Sequence, residues 1–313
     1  MPISKQKILI TLVGPTASGK TAVAVALAKR MEAEIISADS RQIYRYLNIG
    51  SAKPTPQELA GVPCHLIDFL EPDQTYSAGQ FRQAALKNFN DIFARGKIPL
   101  LVGGTGLYVR AVVDGLCPAP PRDNALRQQL EAEARQFGRQ HLYDRLKAVD
   151  LPICEKIHPH NLPRIIRALE VYLLSGTPLS TFQKEFTQPL AFPVFSFGLD
   201  WNRKKLYQRI DLRVERMLTA GWVDEVRGLL SRGYNQNSPG LLGLGYPQIT
   251  AYLTGKCPLE EAVRLIKRDS RHYAKRQLTW FKKDRRIQWM DVNENFSTEE
   301  TAERVEKKLK YLA

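Results

Sequence analysis

A glycine-rich segment near the amino terminus has the residue types and spacing to hold phosphate. It fits the pattern GxxxxGK[ST] and consists of Gly14, Pro15, Thr16, Ala17, Ser18, Gly19, Lys20 and Thr21. Glycines let backbone N–H groups approach phosphate oxygens, and a helix that begins at such a loop adds positive potential. Lys20 supplies a point charge, and the hydroxyl of Thr21 can coordinate Mg²⁺. The motif predicts phosphate binding without specifying the ligand.

Two aspartates follow predicted strands farther along the chain. Asp39 lies in the segment ADSRQ, and Asp68 lies in HLIDF. In nucleotide triphosphatases a carboxylate at the end of a second strand helps to hold the metal ion, so both residues are candidates for a position near Mg²⁺. For Asp68 the alternative is a carboxylate that caps a loop. Asp39 begins a polar segment at the carboxyl end of the sheet, where such folds bind ligands, and we interpret it as functional.

The elements that position these residues alternate between strands and helices. Residues 7–13 form a continuous apolar run that ends at Gly14, which is typical of a buried parallel strand. The pattern then predicts helices over 21–31 and 77–94 and strands over 34–37, 65–69 and 98–104. Such alternation indicates a parallel sheet with crossover helices. We therefore expect an α/β fold with a parallel-sheet core like that of P-loop NTPases.

The pattern changes at a proline-rich segment, CPAPPRD at 117–123. From there to about residue 188 the apolar spacing predicts helices only. A strand pattern returns at 194–200, helices follow it up to Lys283, and a short strand over 287–291 precedes a terminal helix. We expect the first part of the catalytic core over 1–117, an inserted helical domain over 118–190, and the rest of the core, with basic C-terminal helices, over 191–313.

The composition favours a polyanionic partner. The 313 residues include 46 Lys and Arg against 32 Asp and Glu, a formal charge of +14, and basic surfaces bind mainly by neutralising phosphates. No segment approaches the roughly 18 apolar residues of a membrane helix. Because the chain runs directly into a strand pattern, we expect no cleaved signal and a cytoplasmic location. The four cysteines lack CxxC spacing, so we expect them to be reduced and structural.

Basic residues are concentrated in two predicted helices. Residues 264–286 contain ten Lys and Arg and two Asp. On a helical wheel, five of the basic residues fall within about 40° of one line, opposite an apolar stripe. The basic set is Arg264, Arg268, Arg271, Lys275 and Lys282, and the apolar set is Ala262, Ile266, Tyr273 and Trp280. We interpret the basic stripe as a contact to a phosphate backbone; the alternative is an ordinary solvated face, although such faces usually mix signs.

A second basic helix contains Arg209 and Arg213 at i,i+4 spacing. Two converging guanidinium groups suit a pyrophosphate. The alternative is a structural role, in which these arginines pack against Asp211 or Glu215.

Several segments closely resemble those of the bacterial tRNA dimethylallyltransferases. They are GPTASGKT at 14–21, ADSRQIY at 38–44, IGSAKP at 49–54, GGTGLYVRA at 103–111, RALEVY at 167–172 and YAKRQLTWFKKD at 273–284. The resemblance covers almost the whole chain. It implies transfer of a dimethylallyl group from dimethylallyl diphosphate to N6 of the adenine immediately 3′ of the anticodon. The diphosphate would be released with Mg²⁺ as cofactor and without consumption of ATP.

The resemblance also implies roles for individual residues. Asp39 matches the general base, Thr105 lies near the reacting amine, and Arg209 binds diphosphate together with the glycine-rich loop, whose Thr21 binds the metal. The expected tRNA contacts, to the anticodon stem-loop, are Asp39, Ser40, Arg41, Gln42, Thr105, Arg127, Arg164, Arg167, Arg271, Lys275, Arg276, Gln277 and Lys282. We expect a monomer whose inserted domain also contacts tRNA.

The sequence departs from the family pattern at two places. Asn161-Leu162-Pro163-Arg164 stands where family members commonly have Asp-Pro-Gln-Arg, and the segment 241–244, which includes Leu242, lacks an arginine that the family often carries. Neither departure affects the expected chemical centre.

Three other functions use the same phosphate loop. An adenylate isopentenyltransferase would act on free adenine nucleotides, a small-molecule kinase would use ATP, and a non-catalytic RNA-binding NTPase would transfer no prenyl group. The basic helix and the helical insertion favour a large polyanion as substrate.

Overall fold

The strands form one parallel sheet with the phosphate loop near its centre. A computed structural model describes residues 7–185, 187–292 and 297–312. The strands are β1 (Leu9–Val13), β2 (Ala33–Ser37), β3 (Cys64–His65), β4 (Ile98–Gly103), β5 (Val194–Trp201) and β6 (Ile287–Val292). Their order across the sheet is β3-β2-β4-β1-β5-β6, and all neighbouring pairs are parallel. The predicted α/β fold is confirmed, and the strand over 194–200 does rejoin the sheet.

Helices cover both faces of the sheet. Those of the sheet unit are α1 (Lys20–Met31), α2 (Pro56–Leu59), α3 (Ala78–Ala94) and α4 (Gly106–Val113), and later α10 (Arg203–Thr219), α11 (Trp222–Ser231), α12 (Tyr246–Leu253), α13 (Leu259–Phe281) and α14 (Thr298–Leu312). One apolar cluster joins the sheet to α1 and α14, and another joins it to α3 and α4. Because β1, β2 and β4 are covered on both faces, all of their residues are buried. No described helix is long and apolar enough to cross a bilayer.

Residues 114–189 form a separate compact unit made of helices. They are α5 (Asn124–Phe137), α6 (Arg139–Val149), α7 (Leu151–Cys154), α8 (Leu162–Ser175) and α9 (Leu179–Glu185). Inside its apolar core, the fully buried carboxylate of Glu170 accepts hydrogen bonds from Arg127 at 2.7 and 3.0 Å and from Arg167 at 2.6 Å. A buried carboxylate requires such partners, so these two arginines hold the helices together.

The strand predicted over 65–69 is shorter than expected. Only Cys64 and His65 pair with β2, because Leu66 and Asp68 adopt left-handed backbone conformations with φ of 58° and 59°. Such conformations cannot continue a strand. Asp68 is exposed and accepts a hydrogen bond from Lys53 Nζ at 2.6 Å; the same Nζ donates to the Tyr44 carbonyl at 2.8 Å. Asp68 therefore helps to hold the loop that follows β2.

A buried tryptophan fixes that loop against the helices α11 and α12. The Trp222 indole is 2% exposed, and a Cβ added at Gly50 or Gly245 would come within 2.1 or 2.0 Å of it. The Glu225 carboxylate accepts the backbone N–H groups of Asn48, Ile49 and Gly50 at 2.6 to 3.1 Å. These backbone N–H groups have no strand partner, and the Glu225 carboxylate accepts their hydrogen bonds instead.

A buried carboxylate near the start of β2 links stability to pH. Glu34 is 2% exposed and hydrogen-bonds with Arg95 at 2.6 Å and His65 at 2.7 Å. Burial opposes its ionisation, but the hydrogen bonds from Arg95 and His65 outweigh burial and lower the pKa of Glu34 from 4.5 to about 2. The ionised carboxylate is therefore the form that stabilises the fold.

We expect Glu34→Gln to lower the free energy of unfolding at pH 7 by about 1.5–3 kcal/mol, the range for hydrogen bonds to charged groups. Because the folded pKa is depressed, the contribution of Glu34 is complete above pH 4.5 and disappears as the pH falls towards 2. Urea unfolding across that range measures the difference between wild type and variant. The exposed neighbour Glu32, changed to Gln, is the control. A difference that does not depend on pH would contradict the assignment.

Candidate active site

The carboxyl ends of three adjacent strands bring the predicted site residues together. The phosphate loop follows β1, Asp39 follows β2, and Thr105 follows β4. Since β2, β4 and β1 are neighbours in the sheet, these loops lie side by side. The approach is close: a Cβ added at Gly103, the last residue of β4, would come within 2.1 Å of the Ala38 carbonyl oxygen. Only glycine permits this contact.

One side chain of the phosphate loop and two from distant segments hold the carbonyl groups of the loop. Lys20 Nζ donates to the Pro15 carbonyl at 2.7 Å, Arg209 Nε to that of Ala17 at 3.0 Å, and Trp201 Nε1 to that of Ser18 at 2.9 Å. The Arg209 guanidinium also lies 4.3 Å from the centre of the Trp201 ring. At Gly19, with φ of 89°, the loop turns into α1, whose first N–H groups have no helical partner. The loop is thus built in a shape that can receive an anion.

Positive charge at this loop exceeds the negative charge around it. Burial and the neighbouring Arg213 lower the pKa of Lys20 to about 7, although Asp39 attracts its charged form. Burial lowers the pKa of Arg213; Asp39 and Glu58 oppose this effect, and Arg209 adds to it. Burial also lowers the pKa of Arg209. Burial is the main cause of these depressed pKa values, and repulsion between neighbouring cations adds to it.

The acidic neighbours of the two arginines are engaged elsewhere. Asp211 accepts hydrogen bonds from Arg271 at 2.7 and 2.9 Å, and Glu215 accepts one from Lys267 at 2.6 Å. Arg213 has no hydrogen bond or ion pair within the described part of the chain. Asp211 and Glu215 therefore bind residues of α13 and do not form the pairs with Arg209 and Arg213 that the structural alternative requires.

Asp39 lies beside the cations and is held by its own loop. Its Oδ1 accepts the backbone N–H groups of Arg41 at 2.8 Å and Gln42 at 3.4 Å. Its Oδ2 accepts no hydrogen bond from any residue that the structure describes. Thr105 Oγ1 accepts the N–H of Ser40 at 3.0 Å, so the loops after β2 and β4 are joined next to this carboxylate. The arrangement leaves one carboxylate oxygen available to accept a proton.

Two predicted tRNA contacts have their side chains bound within the protein. Arg41 Nη1 donates to the Pro239 carbonyl at 2.6 Å. Gln42 accepts a hydrogen bond from Ser37 Oγ at 2.9 Å and donates to the Ala52 carbonyl at 2.9 Å. These contacts shape the loop that carries Asp39. A role of either residue in tRNA binding stays a prediction.

The basic face of α13 is less uniform than the helical wheel predicts. Arg264, Arg268, Arg271 and Lys282 are paired with Glu261, Asp269, Asp211 and Asp200. In the described structure Lys275 and Arg276 are exposed and have no ion-pair partner. The prediction that Trp280 is buried is wrong, since it is 37% exposed.

The predicted tRNA contacts of the helical unit also include both internally paired and exposed arginines. Arg127 and Arg167 are bound to Glu170, as described above. Arg164 is exposed and has no described ion-pair partner. Of these three residues, Arg164 has the guanidinium that is available to a ligand.

Two residues near the centre of the site are not predicted as site residues from the sequence. Trp201, which holds the phosphate loop, carries no local signal because its partner Ser18 is 183 residues away. The helical wheel places Tyr273 in the apolar stripe, yet its phenol lies close to Thr105 and Asp39. Burial and the nearby Asp39 raise the pKa of Tyr273 to about 12, so it remains a neutral phenol at pH 7.

Comparison with known proteins identifies the family. The model of the family described as IPP transferase matches residues 42–284. The chain belongs to the IPP transferase family. A relative from Geotalea uraniireducens (strain Rf4), named tRNA dimethylallyltransferase 2, is 48% identical over 291 residues, which are 93% of this chain and 94% of that protein. The tRNA dimethylallyltransferase of Geobacter sulfurreducens is 44% identical over 298 residues, or 94% and 95% of the two chains.

Solved structures of IPP transferases share the fold. The full-length tRNA isopentenylpyrophosphate transferase from Bacillus halodurans is 40% identical, with a TM-score of 0.71 and 98% of each chain covered. A eukaryotic dimethylallyltransferase captured acting on tRNA is 26% identical, with a TM-score of 0.82; the match covers 97% of this chain and 79% of that one. The resemblance seen in the sequence is thus confirmed.

Proposed function

We propose that this IPP transferase moves a dimethylallyl group from dimethylallyl diphosphate to N6 of the adenine immediately 3′ of the anticodon in tRNA. The observation that carries the proposal is the excess of cations at the phosphate loop, with the Asp39 carboxylate beside them. A diphosphate supplies the missing negative charge, and Asp39 supplies a proton acceptor. The names of the bacterial relatives support the same reaction.

The cations stabilise the leaving group. As the allylic carbon–oxygen bond breaks, negative charge accumulates on the departing diphosphate. Lys20, Arg209 and Arg213 lie at the phosphate loop, and a preorganised cluster of cations stabilises such charge without rearrangement. Binding of the anion would also favour the charged form of Lys20, whose pKa is about 7.

The site suits a magnesium ion that is held mainly by substrate. The described residues contain no group of three His, Cys, Asp or Glu side chains that could bind a metal by themselves. Mg²⁺ commonly binds through one or two protein oxygens together with substrate phosphates. The hydroxyl of Thr21 at the start of α1 fits that role. When bound there, the ion would neutralise part of the diphosphate charge.

Asp39 provides the base that adenine requires. The N6 lone pair is delocalised into the purine ring, so the amine becomes an effective nucleophile only as it loses a proton. A carboxylate within about 3 Å of that amine accepts the proton as the carbon–nitrogen bond forms. The adenine must leave its stack to reach the site, which costs a few kcal/mol. Thr105 lies beside Asp39 and can orient the extruded base.

Exposed cations offset the cost of extruding the base. Lys275 and Arg276 on α13 and Arg164 on α8 have charges that are not neutralised by the described residues. Contacts from such residues to the phosphate backbone supply affinity that does not depend on base sequence. We expect the protein to act as a monomer, and a tRNA substrate supports a cytoplasmic location.

Labelled dimethylallyl diphosphate tests the proposed reaction. We expect label to appear in unmodified tRNA when Mg²⁺ is present, and EDTA should abolish transfer. Parallel reactions with AMP and with γ-labelled ATP separate the alternatives. Label transferred to AMP in preference to tRNA would identify an adenylate isopentenyltransferase, and phosphoryl transfer from ATP would identify a kinase.

Replacing the base should remove catalysis while binding persists. We expect Asp39→Asn to lower the single-turnover rate of transfer by about 10²–10⁴-fold, the usual contribution of general base catalysis. The dissociation constant for tRNA, measured by filter binding, should change by less than about threefold. Asp73→Asn removes an exposed carboxylate and is the control. Transfer at the wild-type rate by Asp39→Asn would exclude Asp39 as the base.

Lys275 offers a clean test of the tRNA surface because, unlike Arg271, it has no internal ion pair to break. We expect Lys275→Gln to weaken tRNA binding and to reduce the slope of log K against log salt by about 0.7–0.9, the value for one lost phosphate contact. Lys29→Gln removes an exposed charge from α1 and should leave the slope unchanged. An unaltered slope in Lys275→Gln would place this lysine outside the tRNA interface.

A further inference from the structure

One buried side chain on α13 joins the two loops that flank the reaction centre. Gln277 is 6% exposed. Its Oε1 accepts the backbone N–H of Thr16 in the phosphate loop at 2.8 Å, and its Nε2 donates to the Gly104 carbonyl at 2.9 Å. Gly104 immediately precedes Thr105. A single amide therefore connects the diphosphate side of the site to the side that carries Thr105 and, through Ser40, Asp39.

The fit around this amide leaves little freedom. A Cβ added at Gly104 would come within 2.2 Å of Gln277 Nε2, so the loop can approach only because residue 104 is glycine. Gln277 is the middle member of a stripe on α13. One turn earlier Tyr273 lies close to Thr105, and one turn later a Cβ at Gly106 would meet the Trp280 indole at 2.3 Å. Residues 273, 277 and 280 thus follow the loop 104–106 along one face of the helix.

We propose that Gln277 is a positioning residue that fixes the distance between the diphosphate cradle and the proton-accepting loop. The inference deepens the proposed function and rests on it. Both ends of the amide are bound within the protein and the side chain is buried, which favours a positioning role over the tRNA contact that the family resemblance implies. Transfer requires the allylic carbon and the adenine amine to meet in line, and a misplacement of about 1 Å can slow a reaction about 100-fold.

Two variants separate the two hydrogen bonds. Gln277→Leu removes both, while Gln277→Glu keeps an acceptor for Thr16 and loses the donor to Gly104. In Gln277→Leu we expect the single-turnover rate at saturating substrates to fall about 10–100-fold. The dissociation constants for inorganic diphosphate and for tRNA should change by less than about threefold. Gln277→Glu should lie between Gln277→Leu and wild type.

Hydrogen–deuterium exchange gives a readout that does not depend on activity. In wild type the Thr16 amide is protected by Gln277, so we expect it to exchange at least about 10-fold faster in Gln277→Leu, together with peptides over 103–108. Ile266→Val is the matched control. It trims a buried residue of the same helix, about three turns away, and should leave both the exchange of the two loops and the transfer rate unchanged.

The outcomes distinguish the possible roles. Wild-type exchange and wild-type transfer in Gln277→Leu would overturn the proposal. So would a tRNA dissociation constant raised more than 10-fold with transfer intact at saturation, since that result would make Gln277 a tRNA contact. If wild type itself transfers no label to tRNA, the proposed function fails, and the exchange of Thr16 still decides whether Gln277 joins the loops.

Discussion

The functional end of this molecule is organised by unbalanced positive charge. Lys20, Arg209 and Arg213 meet at the carboxyl edge of the sheet, where the Asp39 carboxylate offsets part of their charge. Burial makes this imbalance energetically significant, because charges held out of water interact more strongly than exposed ones. An anionic ligand relieves the imbalance. The cations therefore lower the stability of the free protein. When a diphosphate is bound, the same cations increase its affinity and stabilise it as a leaving group.

The acidic residues on the same helix as the two arginines are bound by another helix. Asp211 and Glu215 lie on α10 with the two arginines, and α13 provides Arg271 and Lys267 to bind them. The same helix reaches the phosphate loop through Gln277 and presents Lys275 and Arg276 to solvent. A single long helix thus affects the charge of the cradle, the spacing of its loops and the surface available to tRNA. A displacement of α13 as a whole is for this reason expected to affect several steps at once.

The parts of this arrangement that sequence reveals are the local ones. The phosphate loop is a contiguous motif, and Asp39 is recognisable because a strand and its polar continuation are adjacent in the chain. The hydrogen bond between Gln277 and Thr16 is different, because it joins residues 261 positions apart. No periodicity in the sequence predicts such a contact. The helical wheel failed at Trp280 because it assumes one buried face. Helix α13 packs first against α10 and α12 and later against α4, so its buried side turns along its length and includes Ala274, Gln277 and Phe281.

The contact of Trp222 with Gly50 and Gly245 restricts how the family can diversify. An added methyl group at either glycine would overlap the indole, so neither position can enlarge while the tryptophan remains. A smaller residue at position 222 would in turn open a void between the two glycines, which is unfavourable until one of them gains a side chain. Positions 50, 222 and 245 are therefore epistatic, because a change at one is tolerated only when another has already changed. Homologues are expected to keep the three residues together.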